Sequence, residues 1–596
     1  MKPEPYSRQP GDVPAVETLA ERLLTQPLRL RGFTRVEDLV PAAVLTLATE
    51  LGGKSRVRWA VADELGQEPA TPTTASLSLR ERGDVIAVVQ IAREEPFSAD
   101  ERRLLSHLNA SLDEHVTELS ERLETRLQAA LSSTLTASDD LEDAAERAVP
   151  SPNVVFVFAD QWRADAVGYA ADPNVKTPNL DRMADEAMTF THAVSGCPVC
   201  SPYRGTLLTG QRPLTHGVFV NDVQLPDKAV TIAEVLAGCG YRTAYIGKWH
   251  LDGHGRSSYI PPLRRQGFEY FRVLECTHNY NRSAYYEGGD STKKWWQGYD
   301  ASAQTDDAVS YIQRQSRETA PFLLMLSWGP PHNPYETAPE PYRAMYRPEE
   351  IKLRPNVPAA EADLARRELA GYYAHCSVLD ACLARIRQAL CDGAIERDTI
   401  FVFTSDHGDM LHSHGEIRKQ KPWDESIRVP LLIRYPRLLG ESGRRLDVPI
   451  NSEDLMPTLL GLAGVAIPAS VEGQDFSGYL RGGQAPSDGA ALLTCPWPFG
   501  EWQRLRGGRE YRGIRTRRYT YARTLAGPWL LFDNQADPYQ LDNLIDKPQH
   551  AQLQSQLESV LQRKLQEAGD QFLRGEAYIE KWAYQVDASG TVPYAP

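Results

Sequence analysis

Beyond residue 152 the chain alternates short apolar runs with helical patterns. Val154-Val155-Phe156-Val157-Phe158, Thr243-Ala244-Tyr245-Ile246, Phe322-Leu323-Leu324-Met325-Leu326 and Thr399-Ile400-Phe401-Val402-Phe403 are four or five residues long and almost wholly apolar. They do not alternate polar with apolar, so each predicts a strand buried on both faces. Strands of this kind separated by helices imply an α/β fold with a large, mostly parallel sheet flanked by helices.

The first 150 residues follow a different pattern and predict a separate α+β domain. A helix is expected from Arg35-Val36-Glu37 through Leu51, capped by Thr34 or Asp38. Arg56–Val61 and Val85–Ile91 read as strands. Phe97-Ser98 then opens a long helix with Ser98 as its cap. From Leu108 its apolar positions are Leu112, Val116, Leu119, Leu123, Leu127 and Leu131, mostly four apart. This narrow stripe can pack within its own domain or pair with a second copy, which would make a homodimer. The region is weakly similar to a degenerate GAF domain. The expected boundaries are an accessory domain over 1–131, a polar, acidic linker over 132–152, a catalytic domain over 153–480 and a C-terminal subdomain over 481–596.

Each apolar run after residue 152 is followed by reactive residues. The first reaches Asp160-Gln161, the second Lys248 and His250, the third His332, and the fourth Asp406-His407. Open parallel sheets collect ligands beyond the carboxyl ends of their strands. One aspartate after a strand is often a helix cap, but four such endings predict a shared site. Asp160 and Asp406 are hard oxygen donors suited to Ca²⁺ or Mg²⁺, and His407 also suits Mn²⁺. Lys248, Arg204 and Lys419 are cations able to hold an anionic group. His250 and His332 can move protons near neutral pH.

Composition narrows the function classes. A formal net charge of -14 argues against a nucleic-acid partner. No run of about 18 apolar residues is present, so no membrane span is expected. The N-terminus lacks a signal-peptide pattern, which predicts a cytoplasmic protein. Among the eight cysteines, Cys197 and Cys200 form a C-x-x-C pair. That spacing suits a redox dithiol or half a zinc site, but the other cysteines offer no second close pair.

Cys200 also opens Cys200-Ser201-Pro202-Tyr203-Arg204 and closes on Leu208-Thr209-Gly210. This run resembles the signature of the type I sulfatases of the alkaline-phosphatase superfamily. The same order is kept by Phe158-Ala159-Asp160-Gln161, Thr177-Pro178-Asn179, Gly247-Lys248-Trp249-His250, Gly329-Pro330-Pro331-His332 and Ser405-Asp406-His407-Gly408-Asp409. Leu531-Phe532-Asp533 with Asp537-Pro538 resembles the family's small C-terminal α+β subdomain.

The resemblance implies that a formylglycine-generating enzyme converts Cys200 to formylglycine, whose hydrated aldehyde attacks sulfur. It implies a divalent metal, Ca²⁺ first and Mn²⁺ or Mg²⁺ as alternatives, held by Asp160, Gln161, Asp406, His407 and the group made from Cys200. Arg204 would orient the nucleophile, Lys248 and Lys419 would take up charge on the sulfuryl group, and His332 or His250 would protonate the leaving alcohol. The implied substrate is a small-molecule or carbohydrate sulfate ester. Many sulfatases carry a second aspartate where this chain has Gln161, and many are exported. Gln161 with His407 also resembles phosphonate monoester and phosphodiester hydrolases, a competing activity with the same nucleophile. A third reading is a non-catalytic sensor or scaffold built on the N-terminal region. The aromatic insertion from Cys276 to Tyr299 either stacks on substrate rings or packs against the body.

Overall fold

The computed structural model describes residues 151–594, together with the backbone of three N-terminal strands, Ser55–Val61, Thr74–Glu81 and Asp84–Arg93. Those three form an antiparallel sheet with Asp84–Arg93 in the middle. Thr74–Glu81 is a strand that the sequence pattern did not mark. The helix expected over 35–51, the long leucine-striped helix and most of the linker lie outside the described residues, and with them most of the element order on which the GAF-like reading rests. The chain divides into two compact units, Met1–Val149 and Pro150–Pro596. No helix among the described residues is long and apolar enough to cross a membrane.

The second unit is built on a ten-stranded sheet. In chain order its strands are β1 (Asn153–Asp160), β2 (Met188–Phe190), β3 (Arg242–Lys248), β4 (Tyr270–Leu274), β5 (Ala284–Glu287), β6 (Asp290–Trp295), β7 (Phe322–Pro331), β8 (Thr399–Ser405), β9 (Leu431–Arg434) and β10 (Arg444–Leu446). Their spatial order is β6-β5-β4-β3-β7-β1-β8-β9-β2-β10. The central five, β4 to β8 in that order, run parallel, and antiparallel pairs extend both flanks. The four apolar runs read from the sequence are neighbours at the centre, where a strand must be apolar on both faces.

The two faces separate cleanly. Val154, Phe156 and Phe158 of β1 pack with Leu323, Met325, Ile400 and Val402 in one layer, together with Leu207 and Leu208. Val155, Val157 and Ala159 pack in the other with Leu324, Leu326, Phe401 and Phe403. The helices that matter here are α1 (Pro178–Glu186), α2 (Cys200–Thr209), α3 (Asp300–Gln315), α4 (Ala362–Asp392) and α5 (Ala551–Glu567). Every residue of α2 is buried, and Gly210 ends it in the left-handed region with its N–H on Thr206 O at 2.8 Å. α4 contributes Tyr372, Tyr373 and Ile386 to the second layer.

A C-terminal antiparallel sheet follows, with strands β11 (Ala490–Cys495), β12 (Tyr511–Thr516), β13 (Tyr519–Thr524) and β14 (Gly527–Asp533) in sequential order. Leu557, Leu561 and Leu565, one helical stripe of α5, bury against it. This is the small α+β subdomain that the resemblance implied. Most of the aromatic insertion takes the packing alternative. Tyr280, Tyr286 and Trp296 are buried, and Trp296 stacks on Tyr285 with centroids 4.0 Å apart. Trp295 on β6 stays 46% exposed.

Asp300 opens α3 with its carboxyl 1% exposed, and its Oδ1 has no partner among the described residues. Burial pushes its pKa up to about 8. Between an unfolded value near 4 and that folded value, the folded chain keeps a proton that the unfolded chain has released. Stability contributed by the neutral acid is therefore lost as pH rises through this window. Asp300→Asn should melt progressively higher than the parent as pH goes from 5 to 8. A difference that stays constant with pH in thermal melts would refute this.

Candidate active site

The strand ends meet over the N-terminus of α2. Asp160 ends β1, Lys248 ends β3, His332 follows β7, and Asp406-His407 follow β8. Cys200 is the first residue of α2, so its sulfur lies where unpaired N–H groups favour negative charge. Its Sγ lies 3.3 Å from His407 Nε2, 3.3 Å from Lys419 Nζ and 3.7 Å from Asp160 Oδ1. Asp160, Cys200, Asp406 and His407 offer ligand atoms all within 4.8 Å of one another, and all four are buried.

Cations surround the carboxylates. Lys248 Nζ donates to Asp160 Oδ2 at 2.7 Å, and Arg204 Nη2 reaches Asp160 at 3.2 Å and Asp406 at 3.3 Å. The other end of the Arg204 fork donates to Ser327 Oγ at 2.6 Å and to the Lys248 carbonyl at 2.7 Å. Its plane lies over the Phe158 ring at 4.9 Å. Burial opposes charge on Asp160, but Lys248 foremost, with His332, Lys419 and His407, holds its carboxyl well below the ordinary range. Burial and the nearby Asp160 push Asp406 the other way, up to about 6. Burial and Asp160 also oppose a Cys200 thiolate, yet Lys248, Lys419 and His407 bring the thiol well below its usual value.

The donor atoms are oriented by their outer contacts. His407 Nδ1 donates to the Gly408 carbonyl at 2.9 Å, which leaves the Nε2 lone pair facing the cluster. Gln161 Nε2 donates to Asp409 Oδ2 at 2.7 Å, so its amide oxygen turns toward Lys419 Nζ, 3.1 Å away. Two carboxylates and an imidazole nitrogen gathered with Cys200 Sγ in a buried space fit a divalent cation. Lys419 also donates to His332 Nε2 at 2.9 Å, while His332 Nδ1 donates to the Asn333 carbonyl. Burial and Lys419 hold His332 well below its ordinary pKa, hence neutral.

Nine of the residues singled out from sequence, Asp160, Gln161, Cys200, Arg204, Lys248, His332, Asp406, His407 and Lys419, thus share one network. His250 adjoins it through its carbonyl, which accepts from Ser201 Oγ at 2.7 Å, while its ring Nε2 turns to Asp222 Oδ1 at 3.2 Å. Burial opposes a charged His250, but Cys276 and Asp222 raise its pKa to about 9. The sequence reading missed Asp222, Asp409, Ser327, Glu275 and His278. Asp409 followed a quoted strand end and was within reach of the same reasoning. Glu275 accepts from the backbone N–H groups of Leu251, Asp252 and Gly253, and His278 stacks on His332 at 4.5 Å. Neither carried a signal in the chain, because both act from loops that only folding brings near.

Several positions are conformationally strained. Gln161, His250, Arg418 and Gln420 occupy the left-handed region that non-glycine residues avoid. The strain around Lys419 is held by Arg418 N on Asp409 Oδ1 at 2.9 Å and by Gln420 Nε2 on the Phe499 carbonyl at 2.9 Å. Gly247 has φ 104°, and a Cβ there would meet Ser327 O at 2.1 Å.

A buried nucleophile position at a helix N-terminus, ringed by metal donors and cations at the carboxyl edge of a parallel sheet, defines the alkaline-phosphatase superfamily architecture. The Sulfatase family model matches residues 152–465, and the model for the C-terminal region of N-sulphoglucosamine sulphohydrolase matches 413–567. An ulvan-active sulfatase of Formosa agariphila is 44% identical over 454 residues, covering 76% of this chain and 88% of that protein. A sulfatase-family structure from Bacteroides fragilis superposes with a TM-score of 0.66 at 31% identity, over 72% of this chain and 98% of that one. The phosphonate monoester hydrolase of Agrobacterium radiobacter gives 0.60 at 26% identity, over 75% and 100%. This chain belongs to the sulfatase family. It is a type I sulfatase, a sulfuric ester hydrolase, which sets aside the non-catalytic reading.

Gly247 tests how finely Lys248 must be placed. Gly247→Ala should lower kcat by about 100-fold, since a misplacement near 1 Å costs that much. Retained far-UV circular dichroism with lost turnover is the expected result, and unchanged turnover would refute it.

Proposed function

We propose that this protein hydrolyses a carbohydrate sulfate ester with a formylglycine made from Cys200 and a bound divalent cation, Ca²⁺ before Mn²⁺ or Mg²⁺. The observation that carries this is the position of Cys200 Sγ, within 3.7 Å of Asp160, His407 and Lys419 inside a buried cluster. A thiolate so placed is poorly exposed for redox exchange but well placed for metal-assisted attack on an anion. Oxidation of Cys200 by a formylglycine-generating enzyme would act on the unfolded chain, because the folded site is closed to it.

Asp160, Gln161, Asp406 and His407 would hold the cation, which supplies Lewis acidity at the sulfuryl oxygens. Arg204 fixes the two carboxylates relative to α2 through its forked contacts. Lys419 places positive charge 3.3 Å from Cys200 Sγ and Lys248 places a second charge on Asp160 beside it, where a sulfate group would gather charge during transfer. His332 and His250 are the proton carriers: one offers a lone pair shared with Lys419, and the other is held protonated. A carbohydrate ester is favoured by the ulvan activity of the Formosa relative.

Co-expression with a formylglycine-generating enzyme, followed by mass spectrometry of the Cys200 peptide, should show the mass change from thiol to aldehyde. Cys200→Ala should then lower kcat/KM on an aryl sulfate by at least about 1000-fold, the scale of losing a nucleophile. A peptide that stays entirely thiol while the protein turns over would refute the nucleophile.

Chelation should abolish activity, and Ca²⁺ should restore it best. Elemental analysis should find about one cation per chain in the parent and little in Asp406→Asn, which loses a charged ligand. Full activity in metal-free protein would overturn the metal assignment.

A further inference from the structure

Among the described residues, no carboxylate holds Lys419 directly. Its Nζ meets Gln161 Oε1 at 3.1 Å, Cys200 Sγ at 3.3 Å and His332 Nε2 at 2.9 Å. Lys248, by contrast, is drawn to its place by Asp160 at 2.7 Å. The position of the Lys419 ammonium therefore depends on how firmly its backbone is held. That backbone leaves a narrow loop, 409–418, closed at its base by Met410 N on the Arg418 carbonyl at 2.8 Å. Leu411, His412, His414, Arg418 and Gln420 all lie in the left-handed region, so the segment persists only where outside contacts hold it.

His412 makes one of those contacts. Its buried ring lies against the start of α4, with Nδ1 2.6 Å from Glu361 Oε2 and Nε2 3.1 Å from Glu368 Oε2. Carboxylate oxygens accept and do not donate, so both ring nitrogens carry a proton and the ring is an imidazolium. Charge-assisted bonds on both sides make this a stronger hold than a neutral pair. Glu368 foremost, with Glu361 and against the cost of burial, raises the pKa of the ring. Arg418 is the other charged group facing this set, its Nη1 3.6 Å from Glu368 Oε2 and donating to Tyr335 Oη at 2.6 Å. Glycine would take φ 69° at position 412 without strain, whereas a histidine there is retained by its two carboxylates. Within the loop His412 N donates to the Glu416 carbonyl at 2.8 Å, one rung beyond the Met410–Arg418 pair. A hold on the His412 ring is thus passed along the backbone to the residue before Lys419. His414 N on the Asn356 carbonyl at 2.7 Å ties the tip of the loop separately.

We propose that His412, clamped between Glu361 and Glu368 at the start of α4, is a positioning residue that holds the loop behind Lys419 and so sets where the Lys419 ammonium meets the sulfuryl group. The same helix bears on the opposite wall of the site, where Tyr372 Oη donates to the Gln161 carbonyl at 3.0 Å and accepts Arg163 N at 2.9 Å. α4 is thus a common platform for the end of β1 and for the Lys419 loop, and the clamp fixes the distance between them. This rests on the proposed role of Lys419 in taking up charge on the sulfuryl group.

The test uses the matured, metal-loaded, full-length enzyme turning over 4-nitrophenyl sulfate at pH 6, where the imidazolium is present. His412→Gly removes the clamp while suiting the left-handed backbone. It should lower kcat by roughly 10- to 100-fold, the scale of a small misplacement of a reacting group. Glu361→Gln keeps the shape without the charge and should lower kcat by roughly 3- to 10-fold. Its side chain is 35% exposed, so it carries the test should His412→Gly fail to fold. Two pairings separate positioning from general structure. Lys419→Ala should by itself cost about 100-fold or more, and in that background His412→Gly should cost little further. In the His412→Gly background, Glu361→Gln should cost nothing further. An equal loss from His412→Gly with and without Lys419 would make the clamp merely structural and overturn the proposal. So would the parent kcat in both single variants. If Lys419→Ala keeps the parent kcat, the role of Lys419 itself fails, and the clamp with it.

Discussion

The Asp160 carboxylate is the interaction on which the site depends. It is fully buried, yet Lys248 at 2.7 Å and Arg204 at 3.2 Å keep it ionised. An isolated carboxylate in such a place would take up a proton instead. Its charge in turn holds Lys248 protonated against burial. Arg204, bound to Asp160 and Asp406 together, locks β1, β8 and α2 into one arrangement. Removing either sign would leave the other uncompensated in a dry interior, a cost of several kcal/mol for a buried pair.

That arrangement gathers Lys248, Lys419 and Arg204 beside the position an anionic ester must reach. The same low dielectric that makes buried charges costly makes them effective once paired, because no water must reorganise during reaction. The backbone bears part of the cost. Gln161, His250, Arg418 and Gln420 all sit in left-handed conformations at the site's edge. Each is retained because a neighbouring hydrogen bond over-determines it, as Asp409 does for both Gln161 and Arg418.

Much of the catalytic unit was legible in the chain. The apolar runs became the central strands because a strand covered on both faces by helices needs apolar residues at every position. The strand-end residues converge because the strands are parallel and adjacent. The aromatic insertion was readable only as a choice, and Tyr280, Tyr286 and Trp296 went to packing while Trp295 did not. The same limit applied to the histidines: His250 and His332 have the same intrinsic chemistry. Their protonation differs because Cys276 and Asp222 favour a charged His250, while burial and Lys419 keep His332 neutral.

The amino-acid sequence by itself determined the sheet, the order of reactive strand ends and the family, since these rest on local periodicity and short motifs. The tertiary structure alone decided what supports them. Asp222 lies 28 residues before His250, and Asp409 lies 248 residues after Gln161. Glu361 lies 51 residues before His412. Contacts at such separations leave no trace in local pattern, because a loop residue's role is set by what the fold brings to it rather than by its neighbours in sequence.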